Sequence, residues 1–166
     1  SDIVALLVFE HQTVVHNLIV RANFVTRQAM HHQETLNREL GEPIDHEWES
    51  TKSRIRSACE PLVESLLCSG EAALTSPVRG TSRFSRQFAD AGPRDRQGRS
   101  LRELDLETRL LKYPCSYLVY SESFQALPAE ARAYIGERMR AILAGQDESP
   151  KFAHLKTADR QAIREI

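Results

Sequence analysis

The 166-residue sequence has little cysteine, and the cysteines it has show no pairing signature. Cys59, Cys68 and Cys115 are odd in number and form neither a CxxC nor a CxxCH motif. This pattern argues against a disulfide framework, a zinc knuckle and covalent attachment of c-type haem. We expect each thiol to act as a small hydrophobic group.

The sequence also lacks an excess of charge of either sign. Its 22 basic and 23 acidic residues leave a formal net charge of −1. Nucleic-acid-binding proteins carry a broad positive surface, which this composition does not supply. We therefore expect no nucleic-acid partner.

No uninterrupted apolar run has the length of a membrane span. Residues 3–9 form an apolar run near the start of the chain, but Glu10 and His11 interrupt it well short of the ~20 residues that a span needs. The segment also lacks the basic region and the cleavage site of a signal peptide. We expect no membrane span.

Complete catalytic motifs are missing as well. The sequence contains no GxSxG motif, P-loop, Rossmann glycine pattern, HExxH motif or paired-carboxylate signature. We expect no catalytic residues, and an enzyme is the least favoured function.

Apolar residues recur at helical spacing along most of the chain, and no period-two run of β-branched residues competes with them. The sequence therefore predicts one all-α domain over residues 1–166, which we expect to be a piece of a longer polypeptide. It is an irregular helical bundle built on a helix that spans the first 40 residues, capped by Ser1 or Asp2. An antiparallel second helix over 45–69 follows, kinked by Pro61.

The chain changes character after the second helix. Glycine and proline punctuate residues 71–100, which we interpret as a loop-rich insertion with a short helix over 82–91. Further helices are predicted over 116–127, over 129–144 and from Thr157 onward. Another is predicted within 100–111, with Ser100 or Asp105 as its N-cap.

The first helix carries two apolar lines with polar residues between them. One line contains Val4, Leu7, Val8, His11, Val15, Leu18, Ala22, Val25 and Ala29. The line on the far side contains Leu6, Phe9, Val20 and Phe24. We expect both lines to be buried, so that a buried polar seam runs between them, formed by Glu10, Asn17, Arg21 and Gln28.

The candidate ligand-binding residues are Glu10, His11, Asn17 and Arg21, with Tyr117. His11 is either a haem or metal ligand or a buried structural histidine with hydrogen-bonded ring nitrogens. Arg21 neutralises Glu10 or another carboxylate in the bundle, or binds an anion. Because removing Arg21 would leave a carboxylate buried and unpaired, at about 3–5 kcal/mol, we expect His11→Leu to be tolerated better than Arg21→Leu.

Three other clusters have a structural and a functional interpretation. His31 and Glu34 share a helix face and form a weak surface metal candidate, although we expect no metal site. Tyr117 belongs to an aromatic line that is either core or the wall of a pocket, formed with Tyr113, Tyr120 and Phe124. The arginine-rich segment 94–109 is either a salt-bridged surface or an element that docks a partner.

Four short segments carry a resemblance: residues 98–102, residues 113–121, Glu10-His11-Gln12 and Asn17-Leu18. They resemble the C-terminal region of large uncharacterised exported bacterial proteins associated with c-type cytochrome systems. The resemblance implies a bacterial, periplasmic origin, with a cytoplasmic location as the alternative. Because the haem-attachment motif is absent, it implies a redox role only as a partner or a non-covalent haem binder.

Together these observations favour a non-enzymatic helical domain that scaffolds or docks a partner. A redox assembly is one setting in which it would do so. The partner is another protein or the remainder of the same polypeptide, and the oligomeric state is left open. The alternative is a domain that binds a small ligand, haem or a metal around Glu10, His11, Asn17 and Arg21. No cofactor is expected under the first hypothesis, and haem or a transition metal is the cofactor under the second.

Overall fold

The computed structural model describes residues 2–166 and is all-α, with the long N-terminal helix that the sequence predicts. The described residues form α1 (Ile3–Leu40), α2 (Glu49–Leu66), α3 (Phe84–Asp90), α4 (Glu122–Gln125), α5 (Ala129–Leu143) and α6 (Thr157–Glu165). Two short 3-10 helices lie at Tyr117–Tyr120 and Pro150–Phe152.

Capping residues set both ends of α1. The Asp2 carboxylate accepts a hydrogen bond from the Val4 amide at 2.9 Å, which satisfies one of the free N–H groups of the first turn. Gly41 takes a left-handed conformation with φ 72° and donates its N–H to the Asn37 carbonyl. The helix therefore starts and stops where the sequence predicts.

One face of α1 is the centre of the core. Its buried residues recur every three or four positions and pack mainly on α2: Val4, Val8, His11, Val15, Ile19, Ala22, Thr26, Ala29, Gln33 and Asn37. From α2 the core receives Ile55, Cys59, Leu62, Val63 and Leu66. Pro61 lies inside α2.

The connection between α1 and α2 is held by buried amides. The Asn37 amide nitrogen donates to the carbonyl of His46 at 2.9 Å, and the Trp48 indole donates to the Asn37 oxygen at 2.6 Å. The Trp48 backbone N–H also donates to the Gln33 side chain at 3.2 Å. These bonds hold the chain before residue 49 in a loop, so α2 begins at Glu49 and not at the predicted Asp45.

The helix predicted over 100–111 is wrong, because this segment forms a hairpin. An isolated antiparallel bridge joins Leu104 to Leu111, and Leu106 adopts φ 62° at the turn. The Asp105 carboxylate accepts from the amides of Glu107 and Thr108 at 2.8 and 2.9 Å. Asp105 thus stabilises a tight turn and not a helix N-terminus.

The single helix predicted over 116–127 is also wrong. Ser121 is extended, and its hydroxyl accepts from the Phe124 amide at 3.2 Å, which ends the first 3-10 helix and begins α4. The break at Ser121 places Tyr120 and Phe124 of the predicted aromatic line on two different helices. Tyr117 is buried, whereas Tyr120 is 45% exposed.

Arginine side chains bind α6 to the preceding helices and to the 94–109 segment. Arg160 donates to the carbonyls of Ile142, Leu155 and Phe152, which joins α5, the second 3-10 helix and α6. Arg99 pairs with Glu165, and Arg109 pairs with Asp159, both in α6. Two of the arginines that suggested partner docking, Arg99 and Arg109, therefore form ion pairs within the chain.

Candidate functional site

The second apolar line of α1 is exposed, contrary to the sequence-based expectation. Phe9 and Phe24 are 67% and 66% exposed, and Leu6 and Val20 are about half exposed. Between residues 6 and 24, these side chains share one arc of about 80° with Thr13 and Asn17, almost opposite the core stripe. Arg27 and His31 continue the same arc toward the C-terminus of α1. We call this arc the outer face of α1: Leu6, Phe9, Thr13, Asn17, Val20 and Phe24.

The polar seam is exposed too, so the prediction of a buried network is wrong. Glu10, Asn17, Arg21 and Gln28 all face solvent beside the outer face. Eleven residues separate Glu10 from Arg21, which is about 16 Å along the helix. No ion pair joins them, and no other described residue pairs with either. Both are exposed charges: Glu10 lies at the edge of a cleft beside residues 71–74, and Arg21 lies at the edge of a groove beside α2.

His11, in contrast, is buried and fully hydrogen-bonded. Its Nδ1 lies 2.7 Å from Glu71 Oε1, and its Nε2 lies 2.8 Å from Ser116 Oγ. α1 positions the imidazole, the end of the turn after α2 positions Glu71, and the start of the first 3-10 helix positions Ser116. The side chain of His11 is 4% exposed and that of Glu71 is 35% exposed.

The Ser116 side chain contacts two polar groups. Its hydroxyl oxygen accepts from the Leu118 amide at 3.3 Å and lies 2.8 Å from His11 Nε2. On the other side of the ring, His11 Nδ1 donates to the Glu71 carboxylate, because an ionised carboxylate only accepts hydrogen bonds. Every polar group in this network has a partner, as buried polar groups require.

The order serine, histidine, carboxylate matches that of a hydrolytic triad, but the surroundings do not suit catalysis. Ser116 has no exposed surface, so no substrate carbonyl can reach its hydroxyl oxygen in this conformation. The side chain of His11 is 4% exposed, and its Nε2 is bonded to Ser116. The arrangement therefore serves as a buried link that fixes three distant segments to each other.

Tyr117 is next to this link. Its ring centroid lies 6.1 Å from that of His11, and its hydroxyl donates to Gln12 Oε1 at 3.2 Å. The Arg102 guanidinium lies 4.6 Å from the Tyr117 ring centroid and 4.8 Å from that of Phe88. Burial raises the pKa of Tyr117, although the charge of Arg102 acts in the opposite direction. Of the candidate residues, the structure brings His11 and Tyr117 together, places Glu10 at a cleft that His11 also lines, and leaves Asn17 and Arg21 away from that cleft.

Two clefts flank the segment that carries Glu71. One, of about 430 Å³, is lined by Glu10, His11 and Glu71, and the other, of about 900 Å³, is lined by Cys68, Glu71 and Arg109 among others. Glu71 is the one ionisable group that borders both. Neither cleft is lined by Asn17 or Arg21.

The three cysteines are free and buried, as small hydrophobic groups would be. Burial raises the pKa of Cys59 to about 11 and that of Cys115 to about 12. Burial, with Glu71 and Cys115 nearby, raises the pKa of Cys68 well above its ordinary value. The thiols therefore stay protonated at neutral pH and lack nucleophilic character.

The described residues contain no group of three or more His, Cys, Asp or Glu side chains placed to hold a metal ion. His31 and Glu34 are both exposed on α1. At His11, the Ser116 hydroxyl lies 2.8 Å from Nε2, in the place that a haem iron or a metal ion would occupy. The arrangement of His11 thus fits a structural role better than ligation.

Sequence reasoning found His11 but missed Glu71 and Ser116. Glu71 is 60 residues and Ser116 is 105 residues from His11 in sequence, and no spacing links the three. α1 also has an 18-residue window long and apolar enough to cross a membrane, by length and composition alone. The expectation of no membrane span is therefore not confirmed. Compared with protein-family models, curated proteins and solved structures, the chain gives no match.

Proposed function

We propose that this chain is a non-enzymatic helical domain that docks a protein partner through the outer face of α1. The observation that supports it is the pair of apolar clusters at the two ends of that face, Leu6 with Phe9 and Val20 with Phe24. Single exposed apolar side chains are common on proteins, but here four are aligned on one helix and form two apolar clusters on the same face. Such a face is typical of an interaction surface.

The composition of the face favours a protein partner over a lipid surface. Helices that lie on membranes carry lysine and arginine along their polar flanks. Here the flank contains Glu10 and Arg21, of opposite charge, and the middle of the face is polar at Thr13 and Asn17. The opposite side of α1 packs in the protein core. The proposal therefore includes no membrane span.

The enclosed network around His11 supports the non-enzymatic part of the proposal. With Ser116 buried and both ring nitrogens of His11 bonded, these residues stiffen the support behind the docking face. A place in a periplasmic redox assembly is supported only by the resemblance of four short segments: residues 98–102, residues 113–121, Glu10-His11-Gln12 and Asn17-Leu18.

Site-specific photocrosslinking in the cell that makes the protein tests the proposal. Benzoylphenylalanine replaces Phe24 in one variant and Tyr120, an exposed aromatic residue outside α1, in the control. We expect position 24 to form an adduct with a polypeptide that mass spectrometry identifies, and position 120 to form none. Equal labelling at both positions, or adducts with lipid only, would contradict the proposal.

A further inference from the structure

We propose that the partner is a second copy of this chain, packed antiparallel along α1 about a two-fold axis near residue 15. This inference rests on the proposed function and names the partner of the same outer face. Three features carry it: the symmetry of the face, the charges beside it and its length.

The outer face shows nearly the same order of apolar and polar residues whether α1 is followed from its N-terminus or from its C-terminus. In an antiparallel pair centred near residue 15, Leu6 of one copy meets Phe24 of the second, and Phe9 meets Val20. Thr13 meets Asn17 at the centre. Each end of the interface therefore joins one large apolar cluster to another, and the polar residues face each other where they can hydrogen-bond. A polar side chain within an apolar helix interface fixes its register.

The charges beside the face distinguish the antiparallel from the parallel arrangement. Glu10 and Arg21 lie on the same flank of the outer face and have no partner among the described residues of their own chain. In an antiparallel pair, the same flank of each helix faces its counterpart, so Glu10 of one copy lies opposite Arg21 of the second. The two-fold axis repeats this pair. A parallel pair would place that flank against the other one, where His16 and Asn23 lie, and would form neither ion pair.

The size of the face sets the strength of the association. The two phenylalanines, each about two-thirds exposed, present roughly 200–300 Å² of ring surface in each copy. Stable interfaces bury about 800 Å² from each partner, so the two phenylalanine rings supply only part of such an area. We therefore expect a reversible dimer that dissociates on dilution.

Sedimentation equilibrium of the purified chain with charge-reversed variants tests the inference. We expect Glu10→Arg and Arg21→Glu each to weaken the dimer about tenfold, because each turns two attractions into two repulsions. The double variant restores the pairs with their signs exchanged and regains affinity. Arg132→Glu, exposed on α5, is the matched control and leaves Kd unchanged. Additive weakening in the double variant would overturn the inference.

Disulfide trapping tests the direction of the helices. Leu6→Cys and Phe24→Cys variants are mixed and oxidised, and the native thiols do not compete because they are buried. A disulfide between positions 6 and 24 supports the antiparallel pair, whereas only 6–6 and 24–24 disulfides would overturn it.

The outcome also separates this inference from the proposed function. The chain could stay monomeric at all concentrations while position 24 crosslinks to a different polypeptide. That result would overturn the inference that the partner is a second copy, and it would leave the proposed docking function intact. Absence of any polypeptide adduct overturns both.

Discussion

The two faces of α1 are both apolar, yet they differ in what their polar residues do. On the inner face, His11, Gln33 and Asn37 are buried and hydrogen-bonded to other segments of the same chain. On the outer side, Glu10 and Arg21 find no charged partner in the described part of the chain. Apolar periodicity alone therefore does not identify the core face of a helix. The partners of its polar residues do.

The largest expected effect comes from adjacent residues on opposite faces. Ile19 is 1% exposed and Val20 is 52% exposed. We expect Ile19→Ala to lower the free energy of unfolding by about 2–4 kcal/mol, because it leaves a cavity in the core. Val20→Ala should change the stability of the monomer by less than about 0.5 kcal/mol. Urea unfolding at low protein concentration measures both, and equal losses would contradict the assignment of the two faces.

The second prediction compares His11 with Arg21. We expect His11→Leu to cost about 2–4 kcal/mol, because it leaves the buried Ser116 hydroxyl and the Glu71 carboxylate without their partner. Arg21→Leu should cost the monomer less than about 0.5 kcal/mol, because Arg21 is exposed. Thermal and urea unfolding of both variants tests this order.

That order is the reverse of the one expected from the sequence. The sequence-based argument assumed that Arg21 neutralises a buried carboxylate. In the structure, Arg21 lies on an exposed side of α1. A larger loss for Arg21→Leu than for His11→Leu would show that α1 is covered on its outer side even in the monomer.

Much of the fold could be predicted because local signals define it. Asp2 and Gly41 mark the ends of α1, and Pro128 marks the start of α5. The errors fall where a local signal has two outcomes. Asp105 and Ser121 accept backbone hydrogen bonds either at a helix start or in a turn, and the sequence does not decide between them.

The site could be predicted only in part. Helical spacing placed His11 in the core, but its partners come from segments 60 and 105 residues away, which meet only in the folded chain. The outer face was predicted to be buried because its apolar spacing equals that of a core stripe. What covers such a stripe depends on other parts of the chain or on another molecule, and neither is encoded in the helix itself.

The smallest expected effect is that of Glu60, and Glu10 on the outer side of α1 serves as the comparison. Burial would raise the pKa of Glu60, but hydrogen bonds from Arg138 and Tyr134 outweigh it and hold the pKa below the ordinary 4.5. Arg138 Nε lies 2.6 Å from Glu60 Oε1. Because the pKa is lower in the folded state, Glu60 contributes stability above pH 4.5 that is lost as the pH falls through its folded pKa.

We expect Glu60→Gln to lower stability at neutral pH by less than about 1 kcal/mol, because solvent screens this half-buried pair. The difference between the variant and the original chain should shrink as the pH falls below 4.5. Glu10→Gln is the matched control on the outer side, where no cation of the same chain contacts the carboxylate, and at neutral pH it should change the stability of the monomer less than Glu60→Gln does. Urea unfolding at neutral pH compares the two variants, and its repetition at lower pH follows Glu60→Gln. A loss at neutral pH for Glu10→Gln equal to that for Glu60→Gln would mean that a cation reaches Glu10 within one chain, and the contrast between the two sides of α1 would fail there.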